Sequence, residues 1–141
     1  MSAENPVQEG DVFEGPSKTL TDAHFLFFSA LTGDVHPIHY DVEYAKTTPF
    51  GKPIAHALLL NSLTALGALK GRDRIGRLLF IEQGSRLIVP ALVGDTVRPV
   101  TVLERIWRDK DELYYRFKTS VVNQRGETVM DGFHIYRAFE H

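Results

Sequence analysis

The second half of the chain alternates apolar and polar residues with a two-residue period, which is typical of half-buried β-strands. The period is clearest in one segment whose apolar face carries Leu113, Tyr115, Phe117, Thr119 and Val121. The pattern predicts four strands, at Leu78–Val89, Thr96–Trp107, Leu113–Asn123 and Thr128–Phe139. Short turns rich in glycine, aspartate and asparagine separate them, so we expect antiparallel pairing.

The first half is patterned mainly as helix. An entering strand is predicted over residues 7–18, interrupted by a Gly-Pro pair. A short aromatic helix follows over residues 23–32, with an N-cap at Thr21 and a stop at Gly33. Asp41 is placed to cap a second helical turn. These helices precede every long strand.

The segment ALLLNSLTALGAL, residues 57–69, is apolar almost all the way round at helical spacing. A helix of this composition is normally buried on every side. Together with the predicted sheet, it indicates an α+β fold in which a curved antiparallel β-sheet wraps around a central apolar helix. We predict one such domain over residues 1–141.

Composition narrows the class of protein. A chain of 141 residues that is 43% apolar can bury a core without disulfides. It contains no cysteine, which excludes disulfides, thiolate metal sites and cysteine nucleophiles. Sixteen basic and eighteen acidic residues give a net charge of −2, which argues against a nucleic-acid partner. No apolar run reaches the ~20 residues that span a membrane, and no signal peptide is recognised, so we expect a soluble, cytoplasmic protein.

The candidate chemistry lies in the stretch GDVHPIHYD, residues 33–41, which places two acids and two imidazoles around one proline. Three interpretations remain open. Asp34, His36 and His39 are potential metal ligands, with His56 as a fourth, although their spacing matches no established zinc pattern. The stretch also has the composition of a capped polar loop between two helices.

The third interpretation is an acid–base site. Asp34 and His39 are five residues apart across a rigid proline, so a turn can direct both side chains at one water. An aspartate near apolar surroundings is a stronger base, and a histidine titrates near neutrality. Addition or removal of water needs two such groups.

Two linked motifs resemble the MaoC-like dehydratases and (R)-specific enoyl-CoA hydratases. That family reads G-D-x-N-P-x-H, followed by an alanine and a Pro-Ile-x-His-Gly segment before a long apolar helix. The residues that match here are Gly33, Asp34, Pro37, His39, Ala45, Pro53, Ile54 and His56. The second motif is SRLIVPALVGD, residues 85–95, which is similar to the family's strand, proline and Gly-Asp turn. The resemblance covers nearly the whole chain in the expected order.

The resemblance implies a hot-dog fold, with residues 57–69 as the central helix, and a homodimer or higher homo-oligomer. Asp34 and His39 fall on the family's catalytic dyad. Ala57 stands where a glycine N–H usually polarises the thioester carbonyl, and His36 replaces the usual asparagine. Ala65 stands where some members place a serine in the acyl pocket.

The predicted function is therefore a hydro-lyase that adds or removes water across the 2,3-bond of an acyl thioester, with coenzyme A or acyl-carrier protein as the carrier. No cofactor and no metal are predicted. His56 is expected to steady the site loop by hydrogen bonding. Two alternatives are an acyl-CoA thioesterase, since hot-dog proteins include thioesterases, and a non-catalytic acyl-thioester-binding subunit.

Overall fold

The computed structural model describes residues 6–140. Residues 1–5 and His141 of the predicted domain lie outside this range. Within that range the helices are α1 (Asp22–Thr32), α2 (Val42–Lys46) and α3 (Ala57–Ser62). The strands are β1 (Val12–Glu14), β2 (Lys18–Thr19), β3 (Leu78–Leu87), β4 (Thr96–Asp109), β5 (Glu112–Asn123) and β6 (Thr128–Ala138). Single 3₁₀ turns occur at Pro37–His39, Leu66–Ala68 and Arg72–Arg74.

The strands form one antiparallel sheet in the order β1-β4-β5-β6-β3, with β2 pairing beside β1 on the same edge of β4. The four long strands lie within one or two residues of their predicted bounds. Each long pair carries a register shift, for example between Phe80 and Glu82 in β3. Such bulges bend and twist a sheet, and here they help it curve around α3. The prediction of a curved antiparallel α+β fold is confirmed.

The entering strand breaks where the Gly-Pro pair predicts. Gly15 lies against Pro99 of β4, and its backbone N–H donates to the Pro99 carbonyl at 3.0 Å. Pro99 pairs with β5 on one side and faces the gap between β1 and β2 on the other, so its missing N–H leaves no ladder bond broken there.

The prediction of a helix over residues 57–69 is wrong in length. Helix α3 ends at Ser62, because the hydroxyls of Ser62 and Thr64 donate to backbone carbonyls at 2.6 Å and compete with the helical pattern. A separate 3₁₀ turn follows at Leu66–Ala68.

The expectation that this helix is buried on every side is also wrong. Leu60 is fully buried against the concave face of the sheet, whereas Leu58 is 66% exposed. The sheet covers only one side of α3, so the opposite apolar side remains uncovered in the single chain. No helix within residues 6–140 is long and apolar enough to cross a membrane.

The core has two parts that flank α3. One packs Phe25 of α1 and Leu60 of α3 against the ends of β4, β5 and β6. The other packs Phe13 and the 3₁₀ turn after α3 against the middle of the same strands, with Phe13 and Phe117 in edge contact at 6.1 Å between ring centroids. Together they fix the start of α3 beside the loop that follows α1.

Candidate active site

Local hydrogen bonds fix the shape of the loop after α1, which begins at Gly33. Gly33 ends the helix with φ 81°, a left-handed conformation that glycine adopts without steric cost. The next residue, Asp34, accepts the backbone N–H of His36 through Oδ1 at 3.3 Å. Its other carboxylate oxygen, Oδ2, is left facing the interior of the loop, while the side chain as a whole is 52% exposed.

His36 begins the 3₁₀ turn that the following proline starts. Its Nδ1 accepts the backbone N–H of Ile38 at 3.2 Å, so the side chain serves as an N-cap. The turn then brings His39 inward, where its side chain is only 11% exposed. His36 itself faces His39 edge-on, at 6.4 Å between ring centroids, and is not part of the inner cluster.

The tautomer of His39 follows from its partner. Nδ1 lies 2.8 Å from the carbonyl oxygen of Ile54, and a carbonyl can only accept, so Nδ1 carries the proton. In the neutral ring the lone pair is therefore on Nε2. That nitrogen lies 3.8 Å from Asp34 Oδ2. The distance is too long for a direct hydrogen bond, and one water molecule can contact both atoms.

A second imidazole supports the first. The rings of His39 and His56 stack with centroids 3.6 Å apart and planes 17° from parallel. His56 is 3% exposed, and its Nε2 lies 3.0 Å from the hydroxyl of Ser29 in α1. Burial lowers the pKa of His56, and the nearby His39 lowers it further, with Asp34 opposing both.

This hydrogen bond of His56 reaches α1, and the expected role of His56 in steadying the site loop stays a prediction. His56 is also the N-cap residue of α3, so the same bond ties the start of α3 to α1. The Nδ1 atom of His56 is buried without a hydrogen-bond partner among residues 6–140.

Ala57 is the first residue of α3 and follows His56 directly. The N–H groups of the first helical turn have no partner inside the helix, so the Ala57 N–H is available to an acceptor. The residue is exposed, which leaves that face of the loop accessible. The structure thus brings Asp34, His39 and His56 together at the start of the helix that carries Ala57.

The metal interpretation meets a geometric objection. Ligand atoms of Asp34, His39 and His56 lie within 4.8 Å of one another, close enough to consider one ion. However, the two rings are stacked and nearly parallel, so their nitrogen lone pairs do not converge on a point. These three side chains fit a water better than a metal ion.

A second polar cluster escaped sequence analysis. In the interior the ring of His134 on β6 contacts the Thr64 hydroxyl through Nε2 and the Tyr136 hydroxyl through Nδ1. The two-residue spacing on a strand puts positions 134 and 136 on one face. No local signal links them to Thr64, because the hydroxyl is 70 residues away in the chain.

Comparison with known proteins defines the class. Residues 4–124 match the model of the MaoC like domain, so the chain belongs to that family. It is 28% identical to an (R)-specific enoyl-CoA hydratase of Rhodospirillum rubrum, over 86% of this chain and 85% of that protein. It is 34% identical to an (R)-specific enoyl-CoA hydratase of Aeromonas caviae, over 67% and 69% of the two chains.

The fold has solved counterparts. The unliganded R-hydratase PhaJ1 of Pseudomonas aeruginosa superposes with a TM-score of 0.81 at 26% identity, over 96% of this chain and 84% of that one. The hot-dog fold and the family predicted from the two motifs are confirmed. The predicted class, an enzyme of the MaoC-like hydratase and dehydratase type, is confirmed at the level of the family.

Proposed function

We propose that this chain adds water across the 2,3-bond of an enoyl thioester and catalyses the reverse dehydration. The observation that carries the proposal is the 3.8 Å separation of Asp34 Oδ2 and His39 Nε2, with the histidine lone pair directed to the gap. A water in that gap contacts two groups that accept protons. Positioned acid–base groups of this kind contribute about 10²–10⁴-fold to rate.

In the hydration direction the oxygen of this water bonds to C3 of the substrate. The Asp34–His39 pair takes one proton from the water and returns one to C2, so the pair ends in its starting state. We treat the two groups as one unit, because coupled groups share their titration. The stacked, neutral His56 supports this role, since it holds the His39 ring without adding a second positive charge.

The thioester oxygen gains negative charge as the water attacks. We assign the backbone N–H of Ala57 as its hydrogen-bond donor, because it belongs to the first turn of α3, in an exposed residue that directly follows the His39–His56 stack. A donor aimed at developing charge stabilises the transition state more than the ground state, and losing one costs about 10²–10³-fold in rate. The methyl group of Ala57 leaves the N–H in place.

The test uses crotonyl-CoA as the smallest 2-enoyl thioester. Hydration removes the conjugated enoyl absorbance and leaves the thioester intact, and we expect this result. Thioester hydrolysis releases free thiol, which a thiol reagent detects. Rapid thiol release without prior water addition would favour the thioesterase. Binding without either change would favour a non-catalytic acyl-thioester-binding subunit.

We further propose that the working unit is a homodimer. Strand β3 pairs with β6 on one side only and stands at the end of the sheet. Its exposed apolar side chains include Leu79 and Ile81, each near 45% exposed. A long apolar edge strand invites pairing or aggregation unless something covers it. A second copy covers it with the same surface, as closed two-fold symmetry requires.

Sedimentation at micromolar concentration tests the dimer. We expect a mass near twice the 15.9 kDa of the chain. Leu79→Lys on β3 should shift the species toward the monomer. Val12→Lys is the matched control, because Val12 is an exposed apolar residue on β1 at the opposite edge of the sheet. A wild-type monomer, or equal effects of the two variants, would contradict the proposal.

A further inference from the structure

A cavity of about 430 Å³ lies beside α3, between the helix and strands β3 and β6. Its volume falls in the range of about 300–1,000 Å³ that is usual for small-molecule sites. Its lining residues, as far as the structure describes them, include neither Asp34 nor His39. The cavity, called the chamber below, is therefore separate from the gap between Asp34 and His39. The proposed reaction at that gap does not by itself account for it.

Helix α3 connects the chamber to the proposed reaction site. Ala57 and Asn61 are four residues apart, so they lie on the same face of the helix, one turn of about 6 Å along its axis. Asn61 lines the chamber, and so does Ala65, which resembles an acyl-pocket position. An acyl chain whose thioester carbonyl contacts the Ala57 N–H can therefore extend along this face into the chamber.

Part of the chamber lining is apolar. Ala65, Leu78 and Phe80 supply small and large hydrocarbon surfaces that suit the methylene groups of a chain. A plain alkyl end would need the whole chamber to be apolar, because desolvating a polar wall without a partner costs free energy. The lining is not wholly apolar, because it also includes Asn61, Ser62, Arg72, His134 and Tyr136.

Arg72 gives the chamber lining its charge. It lines the chamber, and among the described lining residues it is the one side chain with a permanent charge. Its side chain is half-buried, and no carboxylate of residues 6–140 lies within ion-pair distance of it. By contrast, Arg74 in the same turn is paired with Asp11 at 2.9 Å. A partly buried cation without an anion is costly, and a ligand anion would relieve that cost.

Tyr136 also lines the chamber, but its single hydroxyl proton is used inside the protein. Burial raises the pKa of Tyr136 to about 12, so its hydroxyl stays protonated at neutral pH. The neighbouring groups fix its orientation. Thr64 donates its proton to the Asn61 carbonyl at 2.6 Å, so its oxygen can accept from His134 Nε2 at 3.2 Å. This leaves His134 Nδ1 as an acceptor, 3.4 Å from the Tyr136 hydroxyl.

We propose that this chamber binds a carboxylate at the far end of the acyl chain, with Arg72 as its cationic partner. The inference rests on the proposed function and names its substrate class, the thioesters of α,ω-dicarboxylic acids. The planar guanidinium of an arginine matches a carboxylate with two parallel hydrogen bonds. Negative charge there replaces the ion pair that Arg72 lacks among residues 6–140.

Binding calorimetry with three unreactive ligands tests the proposal: coenzyme A, hexanoyl-CoA and adipyl-CoA. The two acyl groups have six carbons each and differ in ending in a methyl group or a carboxylate. We expect adipyl-CoA to bind about tenfold or more tightly than hexanoyl-CoA, as a charged hydrogen-bonded pair contributes. Arg72→Met should abolish this preference and leave hexanoyl-CoA binding nearly unchanged. Arg72→Lys should keep part of it, since lysine retains the charge without the fork.

Arg77→Met is the matched control, because Arg77 follows in the same connection and stacks over the Phe139 ring at 4.9 Å without lining the chamber. It should leave the ratio of the two acyl affinities unchanged. Equal wild-type affinities for the two acyl ligands would overturn the proposal, as would the absence of binding. An equal loss for all three ligands in a folded Arg72→Met protein would instead show that Arg72 meets the phosphates of coenzyme A, and would also overturn it.

The same experiment separates this inference from the proposed reaction. If the protein prefers adipyl-CoA but leaves crotonyl-CoA intact, the carboxylate-binding chamber is supported and the hydratase proposal is contradicted. If it hydrates crotonyl-CoA and binds both acyl ligands equally, the hydratase proposal is supported and the carboxylate-binding chamber is contradicted.

Discussion

Two histidine clusters lie at opposite ends of α3, and they differ in how fully their polar atoms are satisfied. Around His134, the Tyr136 hydroxyl donates to Nδ1 of the ring, and Nε2 of the ring donates to the Thr64 hydroxyl. Around His39, one ring nitrogen is bonded to Ile54, while the other faces a carboxylate across a gap of 3.8 Å. A satisfied network fixes structure, whereas an incomplete one leaves groups free to take and return a proton.

The largest expected effect is a loss of activity when the His39 cluster is changed. Asp34→Asn and His39→Gln should each lower kcat/KM for crotonyl-CoA by about 10²–10⁴-fold, because each removes one of the two groups on the water. Circular dichroism and thermal unfolding should remain close to wild type. Asp22→Asn, an exposed carboxylate change at the start of α1, is the control and should retain full activity. A folded Asp34→Asn protein with native turnover would contradict the assignment.

The next largest effect is a loss of folding stability when the His134 cluster is changed. His134→Ala should lower the free energy of unfolding by about 2–4 kcal/mol, because it opens a cavity and leaves the Tyr136 hydroxyl without its acceptor. Urea unfolding followed by fluorescence measures the loss. His24→Ala removes a surface ring of the α1 capping box and should cost about 1 kcal/mol. Equal losses for the two variants would show that the interior network adds nothing to stability.

A smaller effect concerns pH and stability. Burial lowers the pKa of His134 below the ordinary 6.5, so the unfolded chain binds a proton more readily than the folded one. Stability should therefore fall as pH decreases from 6.5 toward the lowered value, by at most about 1.4 kcal/mol per pH unit for each such group. His134→Gln should flatten this slope in urea titrations between pH 7 and 5. An unchanged slope would mean that His134 does not titrate differently in the two states.

The smallest effect concerns His36. Its Nδ1 accepts the Ile38 N–H, and the side-chain oxygen of asparagine can accept the same bond. His36→Asn should keep kcat/KM within a few-fold of wild type at neutral pH, because the amide oxygen keeps the cap on Ile38. His36→Leu is the control that loses the cap. Inactivation of His36→Asn as deep as that of Asp34→Asn would make His36 a catalytic group.

The sequence predicted these two clusters unequally for a physical reason. Asp34 and His39 are close along the chain, and the capped turn between them follows from local residue types. The partners of His134 come from distant segments, and only the packing of β6 against α3 brings them together. Hydrophobic periodicity predicted the four long strands well. It overestimated α3, because it counts Ser62 and Thr64 as helical positions and does not register their hydroxyls bonding to the backbone.

The most direct test of the central claim is a double-mutant cycle on Asp34 and His39. If the two groups act as one unit on one water, Asp34→Asn/His39→Gln should hydrate crotonyl-CoA about as slowly as the slower single variant, because removing either group already disables the pair. The measurement is kcat/KM for the four proteins, each checked for folding. Losses that multiply in the double variant would show two independent roles and contradict the shared-water account.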